Sequence, residues 1–290
     1  MRPRGFARLA WLLLVSGCGS DPATPVAKEP APATCEEGPG YVDLSYPALK
    51  VGEVTATVLT TDGEPAAEAL VEVCGINVCT RPKYTDDRGD VAVSVESPTQ
   101  KPAMKYGDAY EYGEVAVLFT GDESGTDFGT LYVPRLPTDG APLTPGQRAE
   151  SGGVAVTLAA GGRVELEAFA PYDTEEGRAL RAAELPRDLW PEGLDQGAKL
   201  ELVFTLAPMG ARLCPSAPIE LPNSAGWEPG TEVEFYLQGL DAGVDPGAQL
   251  FAPYGEWAPF GTGVVDESGE RLVLTDGGLP VVTNVGVRRP

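Results

Sequence analysis

Gly52-Glu53-Val54-Thr55-Ala56-Thr57-Val58 opens an alternation in which Val54, Ala56 and Val58 share one side. Thr61-Asp62-Gly63-Glu64-Pro65 interrupts it as a turn, and Leu70-Val71-Glu72-Val73-Cys74 resumes it. Thr85-Asp86-Asp87-Arg88-Gly89-Asp90 then turns the chain into Val91-Ala92-Val93-Ser94-Val95. A period of two places successive side chains on opposite faces, so these runs predict half-buried strands joined by tight turns. Further strands fit Glu114 to Phe119, Thr130 to Val133, Gly153 to Leu158, Val164 to Phe169, Lys199 to Leu206, Thr231 to Leu237 and Arg271 to Thr275. The expectation is a mainly β chain with two antiparallel sandwich-like domains.

Composition agrees. With 36 glycines and 28 prolines in 290 residues, few windows are long enough for helix, yet 42% hydrophobic residues can still build a core. Asp173 to Glu184 is the one helix candidate. Asp173 is placed to cap, Glu176 stands three residues on, Leu180 and Ala183 share a face, and Pro186 ends it. That segment and Trp190-Pro191 are expected to link the two domains.

The first 18 residues read as an export signal. Arg2, Arg4 and Arg8 precede the apolar run Leu9 to Val15, which is too short to span a bilayer, and small Ser16 and Gly17 lead into Cys18. Val15-Ser16-Gly17-Cys18 resembles the lipobox of bacterial lipoproteins. The resemblance implies cleavage before Cys18 and acylation of that cysteine. At roughly 0.8 kcal/mol per buried CH₂, two or three acyl chains hold a protein to a membrane almost permanently. By the same resemblance, Gly19 in place of aspartate favours the outer over the inner membrane. Residues 19–40 are rich in proline and alanine and read as an extended tether. About 16 residues at ~3.1 Å each, ending at Cys35, let the fold stand up to ~50 Å from the bilayer. The expected organisation is therefore signal peptide 1–17, lipidated tether 18–40, first β domain 41–170, helical linker 171–198 and second β domain 199–290.

Cys35, Cys74, Cys79 and Cys214 remain once Cys18 carries lipid. An even number in an exported chain reads as two disulfides, for which three connectivities exist. In one of them Cys74 and Cys79 close a short loop worth roughly 2 kcal/mol, and Cys35 with Cys214 then closes a long one worth roughly 5 kcal/mol in chain-entropy terms; the connectivity itself stays open. A four-thiolate metal site is disfavoured because the paired spacing of zinc ribbons is missing. No metal or other cofactor is expected.

Gly52 to Val58, Asp62-Gly63-Glu64-Pro65-Ala66, Val71-Glu72-Val73 and Thr85-Asp86-Asp87-Arg88-Gly89 together resemble the carboxypeptidase regulatory-like, transthyretin-like domain. That resemblance implies a non-catalytic accessory β-sandwich; the Cys74/Cys79 pair is not part of the family pattern. Pro229-Gly230-Thr231 and Trp257-Ala258-Pro259-Phe260-Gly261-Thr262-Gly263 resemble, more loosely, ZU5-like β modules of bacterial surface proteins.

Forty-three acidic against 21 basic residues give a formal charge of −22, and loss of three arginines with the signal makes it more negative still. Such a surface repels nucleic acid and anionic headgroups and favours divalent cations or basic or neutral partners, so the expected contacts are the membrane through lipid and a protein or glycan of the envelope. There is no histidine, which removes Ser-His and Cys-His nucleophile pairs, and no serine carries a lysine three positions on. No catalytic residue is assigned. A carboxylate pair for glycoside hydrolysis is the remaining enzymatic alternative. Asp86, Asp87 and Asp90, and Asp122, Glu123 and Asp127, are candidate calcium ligands, although clustered Asp and Gly more commonly form turns. Trp227, Tyr236, Phe251, Tyr254, Trp257 and Phe260 belong either to a core or to a sugar-stacking platform, the basis of an adhesin or carbohydrate-binding alternative.

Overall fold

Alternation at residues 53–60 becomes a strand whose even-numbered side chains, Val54 to Thr60, are all buried. The computed structural model describes residues 34–41, 45–108, 110–166, 174–240 and 248–290. The expected signal peptide, Cys18 and the expected tether up to residue 33 lie outside them. Within the described residues the fold is β throughout, with only two single 3₁₀ turns, Arg187–Leu189 and Ala248–Leu250.

The first lobe contains β1 (Ala48–Leu49), β2 (Glu53–Thr60), β3 (Leu70–Cys74), β4 (Lys83–Tyr84) and β5 (Asp90–Ser94). It continues through β6 (Thr99–Gln100), β7 (Ala103–Tyr106), β8 (Val115–Leu118) and β9 (Thr126–Val133). Two sheets, in the orders β5-β2-β9 and β4-β3-β7-β8, enclose Val54, Val58, Val71, Val73, Val93, Met104, Tyr106 and Val117. The pairings are antiparallel except β2 with β9, which is parallel.

The second lobe begins earlier than expected. It comprises β10 (Arg148–Ser151), β11 (Val154–Thr157), β12 (Arg163–Glu165), β13 (Arg181–Glu184), β14 (Leu202–Ala207) and β15 (Arg212–Ala217). It is completed by β16 (Ile219–Pro222), β17 (Glu232–Gln238), β18 (Trp257–Val265), β19 (Arg271–Gly277), β20 (Leu279–Val281) and β21 (Val285–Arg288). Nine strands form one sheet in the order β10-β11-β16-β19-β18-β17-β21-β14-β13, whose end strands β10 and β13 come into contact, so that it nearly closes on itself. A three-stranded sheet, β12-β15-β20, completes the lobe.

Two expectations are corrected here. Strand β10 pairs with β11, β11 with β16 and β12 with β15, so residues 148–165 belong to the second lobe and the sheets do not divide at residue 170. The proposed helix from Asp173 to Glu184 is not one: Asp173 lies outside the described residues, 174–179 are turns, and Arg181–Glu184 is strand β13, paired with β14. Sheet pairing overrides the local helical pattern because an edge of β14 is there to receive the segment. The short run after it is stitched by the Trp190 indole, which donates to the Leu185 carbonyl at 2.7 Å.

Residues 32–290 make one compact unit. Leu185, Leu194, Leu200, Val203, Tyr236 and Trp257 of the second lobe join the first lobe's apolar cluster, so the lobes share a core. Among the described residues no helix is long and apolar enough to cross a membrane.

Candidate binding cleft

The two facing sheets of the first lobe have four edges, beside the short β1-β6 pair, and each unpaired edge is a template for another chain unless something blunts it. The β8 edge is covered by the second lobe. There the Asn284 side-chain amide donates to the Glu114 carbonyl at 2.9 Å, and Gln238 Nε2 donates to the Ala116 carbonyl at 3.1 Å. Asn284 Nδ2 also donates to Gln238 Oε1, so the two amides cap the edge as a pair. The β9 edge carries a bulge at Phe128–Gly129, where the register against β2 shifts. Pro82, just before β4, offers no N–H.

The β5 side is open. Between it and the segment leading into β4 lies a cleft of about 640 Å³, walled by Thr80 to Lys83 on one side and Val93 to Ser97 on the other. Lys83 stands opposite Val71 in the register and so on the core-facing side of its sheet, but it is exposed because no strand closes the gap. Arg81 is exposed beside it. Neither side chain has an ion pair or hydrogen bond among the described residues. Two unpaired cations in so acidic a chain mark the cleft as the place where an anionic group is attracted. Glu96 is the one carboxylate in its lining.

The Cys74–Cys79 disulfide shapes this wall. It closes the 75–78 loop, and Thr80 then ties back to β3: its N–H donates to the Val73 carbonyl at 2.9 Å, while its hydroxyl accepts the Val73 N–H at 3.0 Å. Arg81 and Lys83 thus start from an anchored residue. The second disulfide joins Cys35 to Cys214 on β15, fixing the start of the described fold to the second lobe. Of the three connectivities open to the sequence, this is the one in which Cys74 and Cys79 close the short loop.

The other sequence candidates fall elsewhere. Asp86 spends its carboxylate on the N–H groups of Arg88 and Asp90, and Asp122 on the N–H and hydroxyl of Ser124. These bonds to the charged form hold both carboxyls below their ordinary pKa and make both loops Asx turns. Of the six aromatics, Tyr236, Tyr254 and Trp257 are buried. Trp227, Phe251 and Phe260 pack half-buried against apolar clusters, so no row of exposed rings forms among them.

Carboxylates converge at the surface, where Glu150 and Glu220 share Arg148 and Arg271, and at Glu72 and Glu114. Glu72 and Glu114 stand on either side of Lys105 Nζ at 4.0 and 3.3 Å. Burial, the largest influence, pushes both above the ordinary glutamate range, and Lys105 partly offsets it. They lie on the outer face of the β3-β7-β8 sheet, where Lys105 and Glu114 are buried. Glu114 is closed to a substrate, while the Glu72 side chain keeps 18% of its exposure.

No protein-family model matches the chain, and no curated protein does. Among solved structures, a 9R-lipoxygenase from Cyanothece PCC8801 matches 37% of this chain and 20% of its own, at 19% identity and a TM-score of 0.23. A likeness at that level carries no argument about function. The cleft is therefore read from its own geometry.

Sequence reading did not single out Arg81 or Lys83. A signal was present: Val78-Cys79-Thr80-Arg81-Pro82-Lys83-Tyr84 is a run without an acid in a chain where acids outnumber bases about two to one.

Proposed function

We propose that the protein is a lipid-anchored, non-enzymatic binding module of a bacterial cell envelope, on the outer membrane, that holds an envelope protein at the cleft beside Arg81 and Lys83. The anchor rests on the lipobox-like Val15-Ser16-Gly17-Cys18 behind a basic, apolar leader. The accessory character rests on the carboxypeptidase regulatory-like turn sequences of the first lobe. The single observation that carries the binding role is the open cleft with two unpartnered cations in its wall. Against an enzyme stand a chain without histidine, four cysteines engaged in disulfides, and close carboxylate pairs each held by a basic side chain.

Two measurements test this. Cys18→Ala is expected to move the protein from the detergent phase to the aqueous phase, and the native mature chain to show an acylated amino terminus by mass spectrometry. An intact leader without fatty acid would remove the anchor. A photo-crosslinking residue at position 81, in whole cells, should give discrete envelope-protein adducts that the same residue at exposed Lys199 does not. Equal labelling from both positions would remove the cleft as the binding site.

A further inference from the structure

Resting on that reading, the backbone register of β5 says what kind of segment the cleft accepts. In an antiparallel pair, opposed residues alternate between those that exchange backbone bonds and those whose N–H and C=O point away. Val58 N–H donates to the Gly89 carbonyl at 2.8 Å, and Gly89 continues the register in which Ala56 opposes Val91 and Val54 opposes Val93. Val91 and Val93 are therefore the residues bonded to β2, and Asp90, Ala92 and Ser94 turn their backbone groups to the free edge. The turn satisfies Asp90: its carbonyl accepts from Asp86 N–H, and its own N–H donates to the Asp86 carboxylate, both at 3.0 Å. Ala92 and Ser94 have no backbone partner on that side among the described residues.

The side chains agree with an edge that stays open. Val91 and Val93 point into the core, while Ala92 and Ser94 are exposed and small. Natural edges are commonly guarded by Lys, Pro or a bulge, and β5 carries none of these. Arg81 and Lys83 stand across the cleft from Ser94, on the opposite wall.

We propose that β5 receives an extended, acidic segment of a partner protein as an added strand, which bonds to the backbone of Ala92 and Ser94 and sets its carboxylates against Arg81 and Lys83. Strand addition draws affinity from main-chain bonds and selectivity from alternate side chains. Here the alternate positions facing the opposite wall meet two positive charges. Glu96, at the far end of the β5 wall, disfavours an acid at the matching end of the segment.

The probe is a fluorescein-labelled seven-residue peptide alternating glutamate and valine, titrated by anisotropy into the detergent-solubilised full-length chain. Saturable binding is expected, weakened by salt because the attraction is partly exposed. Peptides with glutamine or lysine in place of glutamate should bind at least about tenfold more weakly. Two variants separate the contributions. Ser94→Pro removes an edge donor while leaving the β2 bonds intact, since a proline whose N–H side faces solvent is tolerated on an edge strand. It is expected to cut affinity about tenfold or more. Arg81→Glu with Lys83→Glu changes only exposed side chains and should abolish the preference for glutamate over glutamine. Hydrogen exchange should show new protection at the Ala92 and Ser94 amides when the peptide is present. Absence of saturable binding, equal binding by the lysine peptide, or affinity unchanged in Ser94→Pro would each overturn the proposal. None of these readings depends on a membrane. An unlipidated chain that still binds the peptide defeats the anchor alone, and a lipidated chain that ignores it defeats the added strand alone.

Discussion

Tyr106 is fully buried between the sheets of the first lobe, and its hydroxyl has no hydrogen-bond partner among the described residues. A buried hydroxyl without a partner costs its desolvation, so Tyr106→Phe is expected to leave stability unchanged or raise it by up to about 1 kcal/mol. Urea unfolding reads this, and a loss of 1 kcal/mol or more would show that the hydroxyl is bonded after all. The Glu72-Lys105-Glu114 group gives a second expectation, in pH. Burial raises both carboxyls in the folded state, so above the ordinary glutamate range the native protein binds protons that the unfolded chain has released. Stability contributed by these groups is thus present at low pH and lost as pH rises through the raised values. Glu114→Gln does not titrate there, so the advantage of the wild type over this variant should shrink as pH climbs through that window. Arginine-paired Glu201 and Glu234, whose carboxyls are lowered and which act in the opposite sense, are common to both proteins and cancel in the difference. A difference independent of pH would mean that Glu114 titrates normally. None of this was legible in the sequence. Ala103-Met104-Lys105-Tyr106 is buried at all four positions, and a strand covered on both faces has no alternation to betray it.

Turn chemistry decides where an element begins, and at this scale the sequence was most readable. Thr85-Asp86-Asp87-Arg88-Gly89 does what its residue types suggest. The Thr85 hydroxyl accepts the Ala69 N–H at 2.9 Å, Asp86 gathers the loop amides, and Gly89 takes φ +83°. A side chain at Gly89 would be strained in that region, and its Cβ would overlap the Val58 carbonyl oxygen. Gly89→Ala is therefore expected to cost more than about 1 kcal/mol. Because Gly89 also launches β5, the same change should weaken the glutamate–valine peptide under conditions where the protein remains folded. Urea unfolding and the anisotropy titration check the two halves, and a variant neutral in both would mean that the turn does not set the strand. The helix expected across Asp173 to Glu184 failed for the complementary reason. Leu180 and Ala183 fit a helical face, but Arg181 is buried in β13, its guanidinium 4.4 Å from the Tyr110 ring and bonded to the Tyr110 carbonyl. A residue 71 positions away supplies the partner, and local pattern holds no trace of it.

Across the whole molecule, the division expected at residue 170 was not one the sequence could place, because the strand that pairs with β11 lies some 60 residues further along the chain. The same long-range closure makes the Cys35–Cys214 bond a device of the entire fold. It spans 179 residues, and three further bonds hold the segment after Cys35. Arg212 donates to the Glu36 carbonyl at 3.0 Å, the Ser216 hydroxyl to the Glu36 carboxylate, and Gly40 N–H to the Leu250 carbonyl at 3.0 Å. Opening the bond frees a very long loop in the unfolded chain, an entropy change of roughly 5 kcal/mol by the chain model, with measured losses commonly 2–5 kcal/mol. The Cys74–Cys79 bond closes a loop of only five positions, worth roughly 2 kcal/mol on the same model. Since the lobes share one apolar cluster, the protein should unfold in a single calorimetric transition. Cys35→Ser with Cys214→Ser should lower its midpoint well beyond Cys74→Ser with Cys79→Ser. The order should reverse in the peptide titration, where the short bond alone anchors the wall that carries Arg81 and Lys83. If both pairs shifted the midpoint equally, the long staple would be closing a connection already made by the shared core.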